Sequence, residues 1–407
     1  MATTVLVVFA VVYLGMILGG LPFLQLDRTG VALLGAIALV GLGVLSPEEA
    51  ALSIHLPTLL LLFSFMVISA QMRLGGFYTR VTLEMAGLRI SPPALLALVI
   101  GVVAALSAVF SNDVICLAMA PVLADACLAR RLDPVPYLLG LACAANVGSA
   151  ATLIGNPQNM LIGQVLSLSF ADYFLEALVP VLLGLAATWG VIAWQQRGRW
   201  LTVLDDPPPE RRQDYAPYDR WQTSKGLGVA AALIGAFLLT DLPREVLALG
   251  GAGLLLMSRR LHSHKMLGLV DWELLILFIG LFVVNHALAQ TGLTAQAMRW
   301  LADAGVPLSG TGPLFVTTLV LSNVVSNVPA VMLLLPAASE PFSGPLLALV
   351  STLAGNLLIV GSIANIIVVD AARRRGIAID WRTHARTGVP VALLALCVTA
   401  AWFALRH

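Results

Sequence analysis

The chain has 407 residues, of which 59% are hydrophobic and only 11% charged, with a mean hydropathy of +0.92. A soluble domain carries about a quarter charged residues, so an ordinary globular protein is excluded. The net charge of +1 selects no partner class, and no nucleic-acid partner is expected.

Apolar runs recur along the whole chain, from Val5–Leu24 to Val391–Leu405. A helix needs roughly 20 apolar residues to cross the hydrocarbon core, and only helices and closed barrels satisfy their backbone there. These runs are continuous rather than alternating, which predicts an all-α polytopic membrane protein. The first run resembles a signal peptide in hydrophobicity but has no basic residue before Arg28, so a retained span is expected. Ten crossings are predicted near residues 4–24, 30–46, 55–72, 136–162, 172–195, 226–242, 245–258, 272–290, 346–369 and 388–405.

Two further stretches, 93–128 and 312–337, are double-length segments with a polar break, at Ser111-Asn112-Asp113 and at Ser322–Asn327. Basic residues decide their course, because positive charge stays cytoplasmic. Arg73, Arg80 and Arg89 precede the first segment and Arg130 and Arg131 follow it, so it enters and returns as a re-entrant hairpin. The second, flanked by Arg299 and by no basic residue before Arg373, enters from the opposite face. With the N- and C-termini outside, of the 23 Lys and Arg residues only Arg244, Arg299 and Arg406 fall outside. The expected location is the cell inner membrane. Residues 197–225 form a hydrophilic, cytoplasmic linker whose PPP run argues against a folded insert.

The linker divides the chain into two repeats, 1–196 with hairpin 93–128 and broken helix 136–162, and 226–407 with hairpin 312–337 and broken helix 346–369. RTGVALLGA at 28–36 matches REVLALGGA at 244–252, SAVFSNDVICLAMAP at 107–121 matches SNVVSNVPAVMLLLP at 322–336, and GNPQN at 155–159 matches GSIAN at 361–365. Matches in Arg, Ser, Asn and Pro exceed what chance similarity between apolar stretches supplies. Five crossings per repeat is odd, so the second is inverted, the arrangement of secondary transporters.

The chemistry concentrates at the breaks. Unwound backbone offers carbonyls to a hard cation, and half-helix N-termini favour an anion. The candidates are Ser107, Ser111, Asn112, Gly155, Asn156 and Asn159 in the first repeat. In the second they are Ser322, Asn323, Ser326, Asn327, Gly361, Ser362 and Asn365. A single Ser or Gly in a membrane helix is ordinarily a packing residue; clusters paired between repeats are not. Asp113 has Val328 as its counterpart, and a carboxylate at membrane depth is functional by default, here for a proton or cation. Its bland alternative is a carboxylate bonded to the hairpin backbone. Asn285 and His286 lie inside the 272–290 span, where a lone His more often bonds a neighbouring helix. Glu84 and Asp125 read as solvated or interfacial, and Asp370 with Arg373–Arg375 as a topological anchor. Trp194, Trp272 and Trp402 read as an aromatic belt. The four cysteines Cys116, Cys127, Cys143 and Cys397 form no CxxC pair, so neither disulfide nor zinc is expected. No P-loop, HExxH or GxSxG is present, and one deep Asp without a partner does not make an enzyme.

SNDVICLAMAPVL, NVGSAATLIGNPQNMLIG and SNVVSNVPAVMLLLP resemble the ion transporter superfamily, which includes arsenite permeases, sodium/proton antiporters and divalent-anion/sodium symporters. The resemblance covers nearly the whole chain, and GNPQNMLIG resembles small bacterial anion permeases. It implies one sodium site at Ser107, Asn112 and Gly155 and a second at Ser322, Asn327 and Gly361, with Ser111 and Ser326 facing the substrate. It implies no cofactor beyond sodium or a proton as coupling ion, and a possible homodimer. The sequence departs from the symporter motif where Thr is replaced by Asp113 and Val328, and GSIAN lacks the proline. A charged Asp113 would repel a dicarboxylate. The leading expectation is therefore an ion-coupled, alternating-access transporter of a small anion or oxyanion, arsenite-like, with substrate contacts at Ser111, Asn112, Asp113, Asn156, Asn159, Ser326, Asn327, Ser362 and Asn365. The alternatives are a sodium/proton antiporter using Asp113 and a citrate-like di- or tricarboxylate symporter. A channel would lack gradient coupling.

Overall fold

The computed structural model describes residues 1–21, 24–201 and 217–406. Residues 202–216, most of the expected linker with its PPP run, lie outside the described residues.

The first half runs α1 (Ala2–Leu18), α2 (Arg28–Gly41), α3 (Pro47–Ser53), α4 (Leu56–Leu74), α5 (Phe77–Gly87), α6 (Pro92–Val109), α7 (Asn112–Ala129), α8 (Pro134–Ser149), α9 (Pro157–Val165) and α10 (Phe170–Gln195). The second runs α11 (Arg220–Leu239), α12 (Arg244–Leu256), α13 (Ser263–Leu267), α14 (Trp272–Gln290), α15 (Leu293–Asp303), α16 (Thr311–Val325), α17 (Asn327–Leu334), α18 (Ser343–Ala354), α19 (Ile363–Arg373) and α20 (Trp381–Arg406). The order of long, short, hairpin and broken helices is the same in both. Helix starts pair at one constant offset, Arg28 with Arg244, Leu56 with Trp272 and Phe77 with Leu293. The packing is reciprocal as well: α2 lies on α14 and α4 on α12, α1 on α14 and α11 on α4, and α10 lies on α20.

Among the described residues seven helices are long and apolar enough to cross a membrane, and several shorter apolar ones accompany them. The exposed apolar faces of α1 and α2, among them Leu6, Val7, Leu14, Leu33, Leu34 and Ile37, suit lipid rather than water. α8 and α18 behave differently. All of α8 except Val135 and all of α18 except Pro345 are buried, as expected of helices apolar on every side. They are the central posts around which the bundle packs. Each stops half-way, at Ser149 and Ala354, and the chain resumes as α9 and α19 after an irregular turn.

The breaks are where the polar residues foretell them. Ser111 separates α6 from α7, and Ser326, at φ 77, separates α16 from α17. A non-glycine residue with positive φ is uncommon and marks a constrained turn. Asn156 caps α9 by accepting from Asn159 N, the role Asn plays at helix starts. Residues 73–91 and 291–311, assigned to no element above, carry the short helices α5 and α15. α15 has no buried residue and packs on α14 through one flank, as a helix lying along a surface does.

Close backbone contact locks the outer helices. A Cβ at Gly280 of α14 would sit 2.7 Å from the Ala32 carbonyl carbon and 2.8 Å from its oxygen. Gly280→Val therefore prises α14 from α2, and overpacking of this kind costs about 1–3 kcal/mol. A lower melting temperature of the detergent-solubilised protein is expected, with Gly228→Val, beside open space, as an unaffected control.

Candidate functional site

Both hairpin tips and both helix breaks converge on one central cavity. Its lining is Asn112 and Asp113 from the first tip, Ser326, Asn327 and Val328 from the second, Pro157 and Gln158 from one break, Gly361, Ser362 and Ile363 from the other, and Leu274 of α14. It encloses about 40 Å³. Among the described residues its lining has one carboxyl group and no Lys, Arg or His. Leu274 and Ile363 also line a larger vestibule, about 420 Å³, together with Asp27, Arg28, Asp271 and Glu273. Those two apolar side chains are therefore the partition between cavity and vestibule.

Behind the cavity lies a closed hydrogen-bond network. Asn146 of α8 accepts from Asn112 Nδ2 at 3.1 Å and from Ser362 Oγ at 2.9 Å. It donates to Asn356 Oδ1 at 2.8 Å and to Asn365 Oδ1 at 3.3 Å. A primary amide has four such places, and Asn146 fills all of them, joining hairpin tip, first post and second break. Thr352 of α18, in register with Asn146, does the same for the first break. It accepts from Asn156 Nδ2 and Gln158 Nε2, both at 3.2 Å, and donates to Asn159 Oδ1 at 3.3 Å. Each post thus holds the resumed helix of the other half.

This network redistributes the expected roles. Asn156, Asn159 and Asn365 do not line the cavity. Asn159 Nδ2 donates to Thr152 O at 3.0 Å and to Tyr173 OH at 3.1 Å, and Asn365 Nδ2 donates to Gly355 O at 2.8 Å. Their amides satisfy backbone that unwinding sets free. Ser111 also stays outside the lining, whereas Asn112, Asp113, Ser326, Asn327, Gly361 and Ser362 are in it. His286 bonds Gln290 on its own helix, and Asn285 accepts from Tyr13 OH at 3.0 Å; neither lines the cavity. Asp125 is not simply solvated: Arg375 grips it from Nε at 2.8 Å and from Nη2 at 3.2 Å, tying α7 to the end of α19. Asn146 and Gln158 fall inside the quoted motif NVGSAATLIGNPQNMLIG but carry no expected role, and neither does Thr352. The offset that aligns GNPQN with GSIAN also aligns Asn146 with Thr352, and that was the signal for them.

The third feature is a set of buried oxygens without hydrogen-bond donors: Ser107 Oγ and Asn112 Oδ1 in the first half, and Ser322 Oγ, Asn323 Oδ1 and Asn327 Oδ1 in the second. A buried unsatisfied group costs about 1–3 kcal/mol and calls for an explanation. Asn323 Oδ1 lies against Gly361, and Ser107 and Asn112 approach Gly155 through their backbones. Asn112 N donates to Gly155 O at 3.3 Å. A Cβ at Gly155 would collide with the Ser149 carbonyl oxygen and lie 2.8 Å from that of Ser107. One at Gly361 would lie 3.1 Å from Gly355 O and 3.3 Å from Asn323 Oδ1. Both junctions are thus crowded with oxygens and admit only glycine without displacement.

Paired hairpins, broken helices and a polar central cavity in an apolar bundle define a multi-pass membrane transporter rather than an enzyme. Comparison with known proteins agrees. Residues 4–354 match the citrate transporter family, and the chain belongs to that family. An uncharacterised transporter of Mycobacterium tuberculosis strain H37Rv is 28% identical, over 94% of this chain and 95% of its own length. The silicon efflux transporter LSI3 of Oryza sativa subsp. japonica is 28% identical, over 96% and 95%. The putative transporter arsB of Dictyostelium discoideum is 23% identical, over 92% and 87%. Among solved structures, the YdaH transporter of Alcanivorax borkumensis shares the fold, with a TM-score of 0.56 at 15% identity over 99% of this chain and 97% of that one.

Removing the Asn146 amide leaves four buried partners without it. Asn146→Ala is expected to lower thermal stability and to abolish transport, since each orphaned group costs about 1–3 kcal/mol. Thr352→Val is expected to do the same more mildly. A melting curve of each purified variant checks the order.

Proposed function

We propose that this chain is a cation-coupled secondary transporter that moves a small oxyanion, or its protonated acid, by alternating access between two inverted repeats. The observation that carries this reading is the set of partnerless buried oxygens repeated in the two hairpins, Ser107 Oγ and Asn112 Oδ1 in the first and Ser322 Oγ, Asn323 Oδ1 and Asn327 Oδ1 in the second. Hard cations take all-oxygen shells built from carbonyls, amides and hydroxyls, so sodium supplies what these atoms lack. With the cations bound, the cavity wall becomes positive and an anion can enter a site that offers no basic side chain.

The same lack of Lys, Arg and His argues about size and charge of the substrate. A tricarboxylate would bring three negative charges to a small cavity that already holds Asp113. An arsenite-like or silicic-acid-like solute is compact, largely neutral at pH 7, and rich in hydroxyls for Asn112, Gln158, Ser326, Asn327 and Ser362. The name of the rice relative, a silicon efflux transporter, favours such a substrate, whereas the family's own description favours citrate. Asp113 at the cavity favours a second reading, proton or sodium exchange, in which its carboxyl carries the counter-ion. By the distribution of Lys and Arg, the face bearing Arg28 and Asp271 is cytoplasmic, and the vestibule there marks an inward-open state.

Proteoliposomes loaded with opposed sodium and pH gradients test these roles. Uptake of arsenite or silicic acid driven by a gradient, and little response to citrate or sulfate, is the expected result. Ser107→Ala and Ser322→Ala should each raise the sodium concentration for half-maximal flux by about tenfold, the equivalent of about 1.4 kcal/mol. Asp113→Asn should remove the pH dependence of flux while leaving sodium dependence in place. Flux indifferent to every imposed gradient would mean a channel and would end this reading.

A further inference from the structure

The two halves are not equally open, and the difference lies in repeat-related residues. Ile154 and Met160 are 0% and 2% exposed, while Val360 and Ile366, in register with them, are 58% and 41% exposed. α9 packs on α4, which seals one face. The equivalent surfaces of α19 and α14 border the vestibule instead.

The sealed face carries a latch. Arg244, the first residue of α12, donates from Nη2 to the Gly163 carbonyl at 2.9 Å, and Gln164 Nε2 donates to Glu245 at 3.3 Å. A guanidinium is well placed at the end of α9, where free carbonyls carry the negative end of the helix dipole. On the open face the residues in register are Arg28 and Thr29 at the start of α2, and Val369 and Asp370 near the end of α19. They are not joined. Arg28 Nε donates to Met16 O at 3.2 Å, Thr29 Oγ1 donates to Glu273 O at 3.3 Å, and Asp370 pairs with Arg374 at 2.8 Å.

Resting on the alternating-access reading above, we propose that Arg28 and Asp370 are the latch of the opposite state. When α19 closes on α14, Arg28 leaves Met16 and takes the Asp370 carboxylate and the Val369 carbonyl, while Arg244 releases Gly163. Asp370 exchanges one arginine for another. Its present pair with Arg374 is exposed, and exposed pairs contribute little, so the exchange is cheap. The two latches differ in kind. The present one sets a guanidinium on a carbonyl, whereas the alternative forms an ion pair, which salt weakens when it is accessible to water.

Single cysteines at Val360 and at Met160 report the two states once exposed Cys397 is replaced by Ser; the other three cysteines are buried. The full-length protein in vesicles is labelled with a maleimide. Val360→Cys is expected to react fast and Met160→Cys slowly. Arg244→Gln should raise the ratio of Met160→Cys to Val360→Cys labelling by about five- to tenfold, the scale of one charge-assisted bond. Adding Arg28→Gln or Asp370→Asn should cancel that rise, and the exchanged pair Arg28→Asp with Asp370→Arg should restore it. If the ratio responds to Arg244→Gln but not to Arg28→Gln, Asp370→Asn or the exchanged pair, the second latch does not exist. If Met160→Cys stays protected in every variant and with sodium and arsenite added, the alternating-access reading itself fails.

Discussion

The structure depends on one requirement: a helix broken at mid-membrane must find partners for the polar groups that the break releases. Lipid offers none, and an unpaired peptide group there costs several kcal/mol. Asn159 and Asn365 meet the requirement by donating to Thr152 O and Gly355 O, and Asn146 and Thr352 hold those amides by crossing over. The amide on the first post holds Ser362 and Asn365 of the second break, and the hydroxyl on the second post holds Asn156 and Asn159 of the first. Each break is satisfied by an amide of its own half that the post of the other half holds in place. This interlock also fixes where the hairpin tips meet, since Asn112 hangs from the same amide of Asn146.

Most of this plan was legible in the sequence, because a polar cluster in an apolar run is conspicuous. SND at 111–113, SNVVSN at 322–327, GNPQN and GSIAN sit within a residue or two of an observed break. What drew no expected role were polar residues away from those clusters. Asn146 and Thr352 each have one hydroxyl neighbour, Ser149 and Ser351, in largely apolar helices, and nothing local distinguishes a hub from a packing residue. Asp125 and Arg375 lie 250 residues apart, and only the fold joins them. The positions of Asn156, Asn159 and Asn365 behind the cavity lining were not legible for a related reason. Sequence shows that a residue lies at a break, but not whether its amide turns to the cavity or back to the freed backbone.

The asymmetry between the halves was out of reach of the sequence in principle. Two matched repeats describe two conformations equally well, and a sequence does not say which one is adopted. The protein adopts a single one of them, with Met160 covered and Ile366 uncovered. The partition of Leu274 and Ile363 is apolar on both sides. A small solute crossing it trades hydrogen bonds for a dry contact, so a thin barrier suffices to separate cavity from vestibule.

The interlock of the two posts has a consequence for how the protein is made. Asn146 enters the bilayer long before the ribosome has produced Asn356, Ser362 or Asn365, three of its four partners. Through that interval the nascent first half carries an amide with nothing to bind but stray water or its own loosened backbone. A chain arrested after α10 is thus a half-finished object with a polar wound in its middle, and membrane quality-control proteases would find it by that mark.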